Sequence, residues 1–114
     1  EYLMQKLKIP YRVVHICTGD LGHPTAEKFD IEAWIPSENK YRETHSCSNT
    51  TDFQARRLNI KFKRKNKLEY VHILNATAFA IGRIIIAIIE NYQTKEGRIK
   101  IPEALIKYTG FDII

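Results

Sequence analysis

Arg83 stands among small and apolar residues, in the stretch Leu74–Arg83 that continues as the apolar run Ile84–Ile89. An arginine side chain keeps its proton, so a buried position must supply an anion, either a carboxylate of the protein or a phosphate of a ligand. Gly82 and the alanines upstream keep this backbone free of bulk, which suits a ligand lying against it. Two interpretations stay open: a structural salt bridge beneath a core helix, and an anion-binding site.

Oxygen-bearing side chains alternate along a second stretch, Tyr41–Ser48, which is predicted to be a strand. One face carries Tyr41, Glu43, His45 and Cys47, and the other carries Arg42, Thr44, Ser46 and Ser48. Glu43 and Ser46 offer the hard oxygen atoms that Mg²⁺ prefers. An ideal strand puts them on opposite faces, so a metal site here requires a bulge or a twist. The alternative is a carboxylate and a hydroxyl that face water.

The segment Phe29–Ile35 shows the same alternation. Asp30, Glu32 and Trp34 share one face, and three apolar residues share the other. The two carboxylates are either surface charge or the wall of a cleft that holds cations, and both interpretations remain open.

Short strands joined by turns and followed by helices must position these side chains. Periodicity predicts strands over Tyr11–Thr18, Phe29–Ile35, Tyr41–Ser48, Ile60–Lys63 and Leu68–Asn75. Helices are predicted over Tyr2–Ile9, Phe53–Leu58, Phe79–Tyr92 and, at the end of the chain, within Ile101–Tyr108. The longest is apolar on nearly all sides, which predicts a buried helix, and Phe53 and Leu58 are expected to pack inward. The fold class is α+β, with an antiparallel sheet flanked by helices.

Composition bounds the remaining possibilities. A chain of 114 residues makes one domain at most. Cys17 and Cys47 lack metal-ligand spacing, so we expect free buried thiols and no zinc site. No apolar run reaches membrane-spanning length and no signal peptide is visible, which predicts a cytoplasmic protein without a membrane partner. Much of the net charge of +5 lies in Lys61–Lys67, which is either a solvated loop or a contact for RNA phosphates.

Two stretches resemble signature motifs of one enzyme family, the seryl-tRNA synthetases of class II. Leu74–Arg83 resembles motif 3 in its seryl form, L-N-G-S-G-L-A-V-G-R. Tyr41–Ile60 resembles the signature E-x-x-S-x-S-N-x-x-D-F-Q-A-R-R and occurs in the family's order. The resemblance extends through Thr18–Gly22, the Asp30–Trp34 strand and the tail Ile101–Leu105, so it covers essentially the whole chain.

The resemblance implies ATP-dependent activation of L-serine to seryl-adenylate, followed by transfer to tRNA(Ser). It assigns ATP binding to Glu43, Thr44, His45 and Ser46, with Glu43 and Ser46 serving Mg²⁺. It makes Arg83 the catalytic residue and a contact for the ATP phosphates, most directly the γ-phosphate. Thr77 takes the serine-binding position, with Asn75 in support. Ala76, Thr77 and Ala78 replace the usual Gly-Ser-Gly, which predicts a slightly tighter pocket.

By the same resemblance, residues 1–114 correspond to the C-terminal portion of the catalytic domain. Motif 1, motif 2 and the N-terminal tRNA-binding arm are absent, and the complete enzyme is expected to be a homodimer. We therefore expect this chain alone not to form seryl-adenylate at the rate of the complete enzyme. The alternatives are an RNA-binding module that uses Lys61–Lys67 and a synthetase-like paralogue without tRNA charging.

Overall fold

The computed structural model describes residues 1–114 and has four α-helices and six strands. The helices are α1 (Tyr2–Leu7), α2 (Phe53–Leu58), α3 (Ile81–Tyr92) and α4 (Glu103–Thr109). The strands are β1 (Tyr11–His15), β2 (Glu27–Ile35), β3 (Lys40–Asn49), β4 (Lys61–Arg64), β5 (Lys67–Tyr70) and β6 (Leu74–Thr77). The α+β class with an antiparallel sheet and flanking helices is confirmed.

Four strands form the main sheet in the order β1-β2-β3-β6, and every neighbouring pair is antiparallel. The strands β4 and β5 form a separate two-stranded hairpin. Its turn residues Lys65 and Asn66 both have positive φ, at 43° and 66°, which suits a two-residue hairpin loop. The strand predicted over Ile60–Lys63 is confirmed as β4, and only Lys65 and Asn66 of the basic run Lys61–Lys67 form the turn.

The strand predicted over Leu68–Asn75 is interrupted, because residues 71–73 leave the hairpin to reach the main sheet. Ile73 donates its backbone N–H to the Thr51 oxygen, and its own oxygen accepts from the Thr50 N–H. Ile73 is therefore bonded to the loop before α2 and does not extend the pairing of β5 with β4. The prediction failed here because the bonds join residues more than 20 positions apart in sequence, beyond the reach of local periodicity.

The apolar core lies between one face of the sheet and the helices α1 and α3. Ala33 and Ile35 of β2 pack with Met4 and Leu7 of α1 and Ile84 of α3. The predicted inward face of β2 is confirmed, since Ala33 and Ile35 are both buried. The opposite face of the sheet does not contribute to this apolar core.

Helix α3 is not buried on all sides, and that prediction is wrong. Only Ile84 and Ala87 of this helix are buried. The isoleucines at 81, 85, 86 and 89 are between 39% and 66% exposed. The helix packs on the sheet with one side only, and no other element of this chain covers the rest.

Two smaller predictions also need correction, the burial of the cysteines and of Leu58. Cys17 and Cys47 are free thiols, as expected, but they are exposed. Cys17 follows the end of β1, and Cys47 is paired with Phe29, whose own side chain is 42% exposed because no helix covers that part of the sheet. Leu58 is 66% exposed, and Ala55 is the buried residue of α2. No helix of the chain is both long and apolar enough to cross a membrane.

Candidate functional site

A β-bulge in β3 places Glu43 and Ser46 on the same face of the sheet. Ile31 of β2 pairs with His45, whereas the next residue, Glu32, pairs with Glu43. Thr44 is therefore the extra residue of the bulge. Since Asp30 and Glu32 share a face of β2 and pair with Ser46 and Glu43 respectively, the latter two also share that face. The predicted distortion between Glu43 and Ser46 is confirmed.

Thr44 is held in the bulge by hydrogen bonds from both its side chain and its main chain. The residue is 1% exposed, and its Oγ1 donates to the main-chain oxygen of Ile31 at 3.1 Å. Its own main-chain oxygen accepts from the N–H of Ala80, the residue before α3, at 2.8 Å. The bulge is thus fixed to β2 on one side and to the start of α3 on the other. Sequence reasoning predicted the distortion but did not identify Thr44 as the residue that sustains it.

Arg83, in the first turn of α3, reaches the residue before the bulge. Its Nη1 donates to the main-chain oxygen of Glu43 at 2.8 Å and lies 3.9 Å from Glu43 Oε2. The Arg83 side chain is 57% exposed, so its guanidinium is not enclosed beneath a core helix. A solvent-accessible guanidinium with one N–H committed to Glu43 keeps its remaining donors free for a ligand anion.

Arg83 and Glu43 line a cavity of about 420 Å³ together with Glu32 and Arg42. Carboxylates and guanidinium groups thus meet in one recess, a composition suited to a phosphate and its counter-cation. A larger cavity, of about 790 Å³, lies between α1, α4 and α3 and is mostly apolar. It contains none of the site residues predicted from the sequence, whereas the smaller cavity contains Glu43 and Arg83.

Thr77 and Asn75 of β6 lie on the face of the sheet that carries Ser46. Thr77 pairs with Ser46, and Asn75 pairs with Ser48. Both β6 side chains are exposed, and because they are two residues apart they share a face with each other and with Ser46. The structure therefore brings Glu43, Ser46, Thr77 and Asn75 onto one face of the sheet.

His45 lies on the opposite face, where its ring contacts Phe79 at a centroid distance of 4.6 Å. Its Nδ1 is 2.9 Å from Thr44 Oγ1, and because Oγ1 gives its one proton to Ile31, Nδ1 must be the donor. Burial lowers the pKa of His45. The buried Nε2 has no hydrogen-bond partner. The ring of His45 and the side chain of Thr44 are thus directed away from the face that carries Glu43 and Ser46.

Asp30 lies on the same face of the sheet as Glu43 and Ser46, and the sequence left open whether its carboxylate is surface charge or part of a cleft wall. It is 4% exposed, pairs with Ser46, and holds Lys28 Nζ at 3.0 Å through Oδ2. This hydrogen bond raises the pKa of Lys28. The alternation of Phe29–Ile35 indicated the face of Asp30, but burial of its carboxylate depends on the neighbouring strands and has no local sequence signal.

No group of three or more His, Cys, Asp and Glu side chains is placed to hold a metal ion. Glu43 and Ser46 nevertheless contribute two hard oxygens to one face. This fits Mg²⁺, which takes one or two protein ligands and completes its shell with phosphates and water.

The family profile described as tRNA synthetase class II core domain (G, H, P, S and T) matches residues 1–92. The chain belongs to the class II tRNA synthetase core-domain family.

Within that family the chain is similar to serine–tRNA ligases. It is 55% identical over 116 residues to the serine–tRNA ligase of Thermotoga petrophila, covering 100% of this chain and 27% of that protein. It is 59% identical over 113 residues to the serine–tRNA ligase of Pyrococcus furiosus, covering 97% of this chain and 25% of that protein. The chain spans about a quarter of the length of these relatives.

Two solved structures share the fold. The seryl-tRNA synthetase from Pyrococcus horikoshii complexed with ATP superposes with a TM-score of 0.95 and 57% identity, over 99% of this chain and 26% of that chain. The cytoplasmic serine–tRNA ligase from Naegleria fowleri in complex with AMP gives a TM-score of 0.90 and 47% identity, over 99% of this chain and 27% of that chain. Both of these solved structures contain an adenine nucleotide, ATP in one and AMP in the other.

Proposed function

We propose that this chain carries part of the ATP and serine site of an enzyme that activates L-serine and transfers it to tRNA(Ser). The observation that carries the proposal is the bulge at Thr44, which sets Glu43 and Ser46 on one face beside Thr77 and within reach of Arg83. The serine–tRNA ligases that resemble the chain, one of them complexed with ATP, support the substrate assignment.

In the activation step a serine carboxylate oxygen attacks the α-phosphorus of ATP. The bond from that phosphorus to the bridging oxygen breaks, and pyrophosphate leaves with the electron pair. Such an in-line displacement needs positioned reactants and compensated charge more than covalent help from the protein. The guanidinium of Arg83 is oriented by the main-chain oxygen of Glu43 and contacts the ATP phosphates, most directly the γ-phosphate.

Glu43 and Ser46 would hold Mg²⁺, and Thr44 and His45 would support the nucleotide through their main chain. When bound, the cation neutralises phosphate charge and orients the leaving group. On the protein side, the Glu43 carboxylate and the Ser46 hydroxyl are held in place by the bulge.

Thr77 would bind the side-chain hydroxyl of serine, with Asn75 in support. A pocket that hydrogen-bonds a substrate hydroxyl rejects alanine better than an apolar pocket of the same size. The methyl group of Thr77 narrows the space on the side of β6 that faces Ser46, whereas Ala76 pairs with Cys47 and faces the other side. We therefore propose that the pocket is selective for a small hydroxylated amino acid.

In the second step the serine passes to the terminal adenosine of tRNA(Ser), and the complete enzyme acts as a homodimer in the cytoplasm.

The experiment uses a full-length enzyme, meaning this chain completed to the length of its relatives. We expect ATP–pyrophosphate exchange that depends on serine and is much weaker with alanine or threonine.

The variant Glu43→Gln tests the carboxylate, and Glu69→Gln in the hairpin is its matched control. We expect Glu43→Gln to lower exchange by about a hundred-fold, because it removes a preorganised charge, while Glu69→Gln keeps wild-type exchange. Exchange driven equally by several amino acids, or unaffected by Glu43→Gln, would contradict the proposed function.

A further inference from the structure

One oxygen of a buried carboxylate on the ligand-facing side of the sheet has no hydrogen-bond partner. Asp30 Oδ2 contacts Lys28 Nζ at 3.0 Å, but Oδ1 is buried and unpaired. A buried acceptor without a donor is unfavourable, and such groups in native structures call for an explanation. Because Oδ1 has almost no accessible surface, a partner has to come from the neighbouring side chains.

The register of the sheet places one hydroxyl donor directly opposite Asp30. Asp30 is flanked by Val14 on β1 and by Ser46 on β3. Valine has no donor, whereas Ser46 carries a hydroxyl that makes no hydrogen bond within the chain. Directly paired residues have Cβ atoms about 5 Å apart, which brings a serine hydroxyl within reach of an aspartate oxygen by a side-chain rotation. Thr77 lies one strand further away.

We propose that Asp30 is a positioning residue for Ser46. Its Oδ1 accepts the proton of the Ser46 hydroxyl and thereby directs the lone pairs of the hydroxyl oxygen toward the bound ligand. A hydroxyl that serves a cation or a phosphate-bound metal through its lone pairs must send its proton elsewhere, and Asp30 is the acceptor that the sheet provides. This inference rests on the proposed function, because it names what orients one of the proposed ligand-binding groups.

Lys28 has a separate role in this arrangement. It occupies Oδ2 and so leaves Oδ1 as the only oxygen that can turn to Ser46. The ion pair also holds the Asp30 carboxylate in place on the sheet, and the side chains of both Lys28 and Asp30 are mostly buried. Loss of Lys28 therefore affects the stability of the sheet more than the orientation of the Ser46 hydroxyl.

The test is a double-mutant cycle with Asp30→Asn and Ser46→Ala in the full-length enzyme. The amide oxygen of asparagine preserves the contact with Lys28, whereas its amide nitrogen is a donor and reverses the polarity toward Ser46. Each single variant is expected to weaken ATP binding in the presence of Mg²⁺ by about 10- to 100-fold, as is usual for outer-shell partners. Adding Ser46→Ala to Asp30→Asn should change affinity by less than about two-fold, because the two residues act as one unit.

Calorimetric titration of ATP with and without Mg²⁺ provides the readout, alongside the melting temperature. Lys28→Gln is the matched control, and we expect it to lower the melting temperature while changing ATP affinity by less than about two-fold. If Asp30→Asn fails to fold, the cycle is repeated in a Lys28→Gln background, where the amide pair carries no unpaired charge.

Additive effects in the cycle, or a loss of stability in Asp30→Asn with unchanged ATP affinity, would overturn the positioning role. Failure of the proposed function has a different signature, since the wild-type enzyme would then show no serine-dependent exchange at all. The two failures are distinguished on the same preparations.

Discussion

Arg83 Nη1 and the main-chain oxygen of Glu43 are 2.8 Å apart, so the first turn of α3 is tied to the strand residue that precedes the bulge. The contact joins residues 40 positions apart and connects the two stretches in which the chemistry was expected. The acceptor is a backbone carbonyl, which remains in place when the Glu43 side chain turns toward a ligand. Arg83 is therefore oriented independently of what the Glu43 carboxylate binds.

We predict that Arg83→Lys lowers kcat/KM for ATP by about 10- to 100-fold with little change in melting temperature. Lysine keeps the charge but loses the planar fork that donates to Glu43 and to phosphate together. Pyrophosphate exchange at varied ATP concentration and a thermal melt on one preparation measure both quantities. Arg64→Lys, in the hairpin, is the control. A lower melting temperature with unchanged ATP kinetics would identify Arg83 as a structural residue only.

Thr44→Val is predicted to destabilise the fold by about 1–3 kcal/mol, because it leaves the oxygen of Ile31 and the Nδ1 of His45 without their partner. Denaturant unfolding of the 114-residue chain measures this loss. Thr50→Val is the matched control, since Thr50 is equally buried and donates to the oxygen of Ile73 away from the bulge. We expect the two variants to lose similar stability.

Only Thr44→Val should also weaken ATP binding, because only that variant disturbs the residues on either side of the bulge. Equal ATP affinity in the Thr44 and Thr50 variants of the full-length enzyme would show that the bulge does not organise the nucleotide site.

Thr77→Ala is expected to raise KM for serine by about ten-fold, the effect of one lost hydrogen bond to substrate, and to reduce discrimination against alanine. Thr77→Ser retains the hydroxyl and should retain that discrimination. Exchange assays with serine and alanine give the ratio for each variant. If Thr77→Ala and Thr77→Ser behave alike, the hydroxyl has no role in selecting the amino acid.

Acidification is predicted to destabilise the chain through His45. Burial lowers the pKa of His45 in the folded chain below the 6.5 of an unperturbed histidine. Between these two values the unfolded chain binds more protons, so stability present above pH 6.5 declines as the pH falls toward the folded pKa. Melting temperatures between pH 7.5 and 5 should fall more steeply for the wild type than for His45→Gln, with the exposed His72→Gln as control. Parallel curves for all three proteins would refute this.

Neutralising Lys63, Arg64 and Lys65 together should leave pyrophosphate exchange nearly unchanged. These side chains lie in a hairpin that pairs only with itself, and exposed lysines contribute little to a distant site. Any loss should appear as weaker tRNA binding with a reduced dependence on salt. A large fall in exchange would instead place the hairpin at the active site.

Much of this architecture was predictable because it is local. The alternation of Phe29–Ile35 and the limits Phe53–Leu58 of α2 follow from residue patterns, and Gly110 ends α4 with φ 77° as a glycine stop predicts. The need for a bulge between Glu43 and Ser46 also followed from strand geometry.

The failures share one cause, which is dependence on residues distant in sequence. The sequence of α3 indicates a core helix because its exposed isoleucines are of the same type as the buried isoleucine. Only packing against other elements distinguishes them. The break after Tyr70 and the unpaired oxygen of Asp30 likewise depend on which strands become neighbours.

The bulge has a further consequence for the numbering of β3. Up to Glu43 the odd-numbered residues point to the ligand, and from Ser46 onward the even-numbered ones do. A mutational scan of every second residue would therefore detect only half of the contacts that this strand makes. Deleting Thr44 would remove the bulge but leave Glu43 and Ser46 two residues apart in a regular strand, so the two oxygen donors would still share a face while the link from Thr44 to Ile31 and Ala80 is lost.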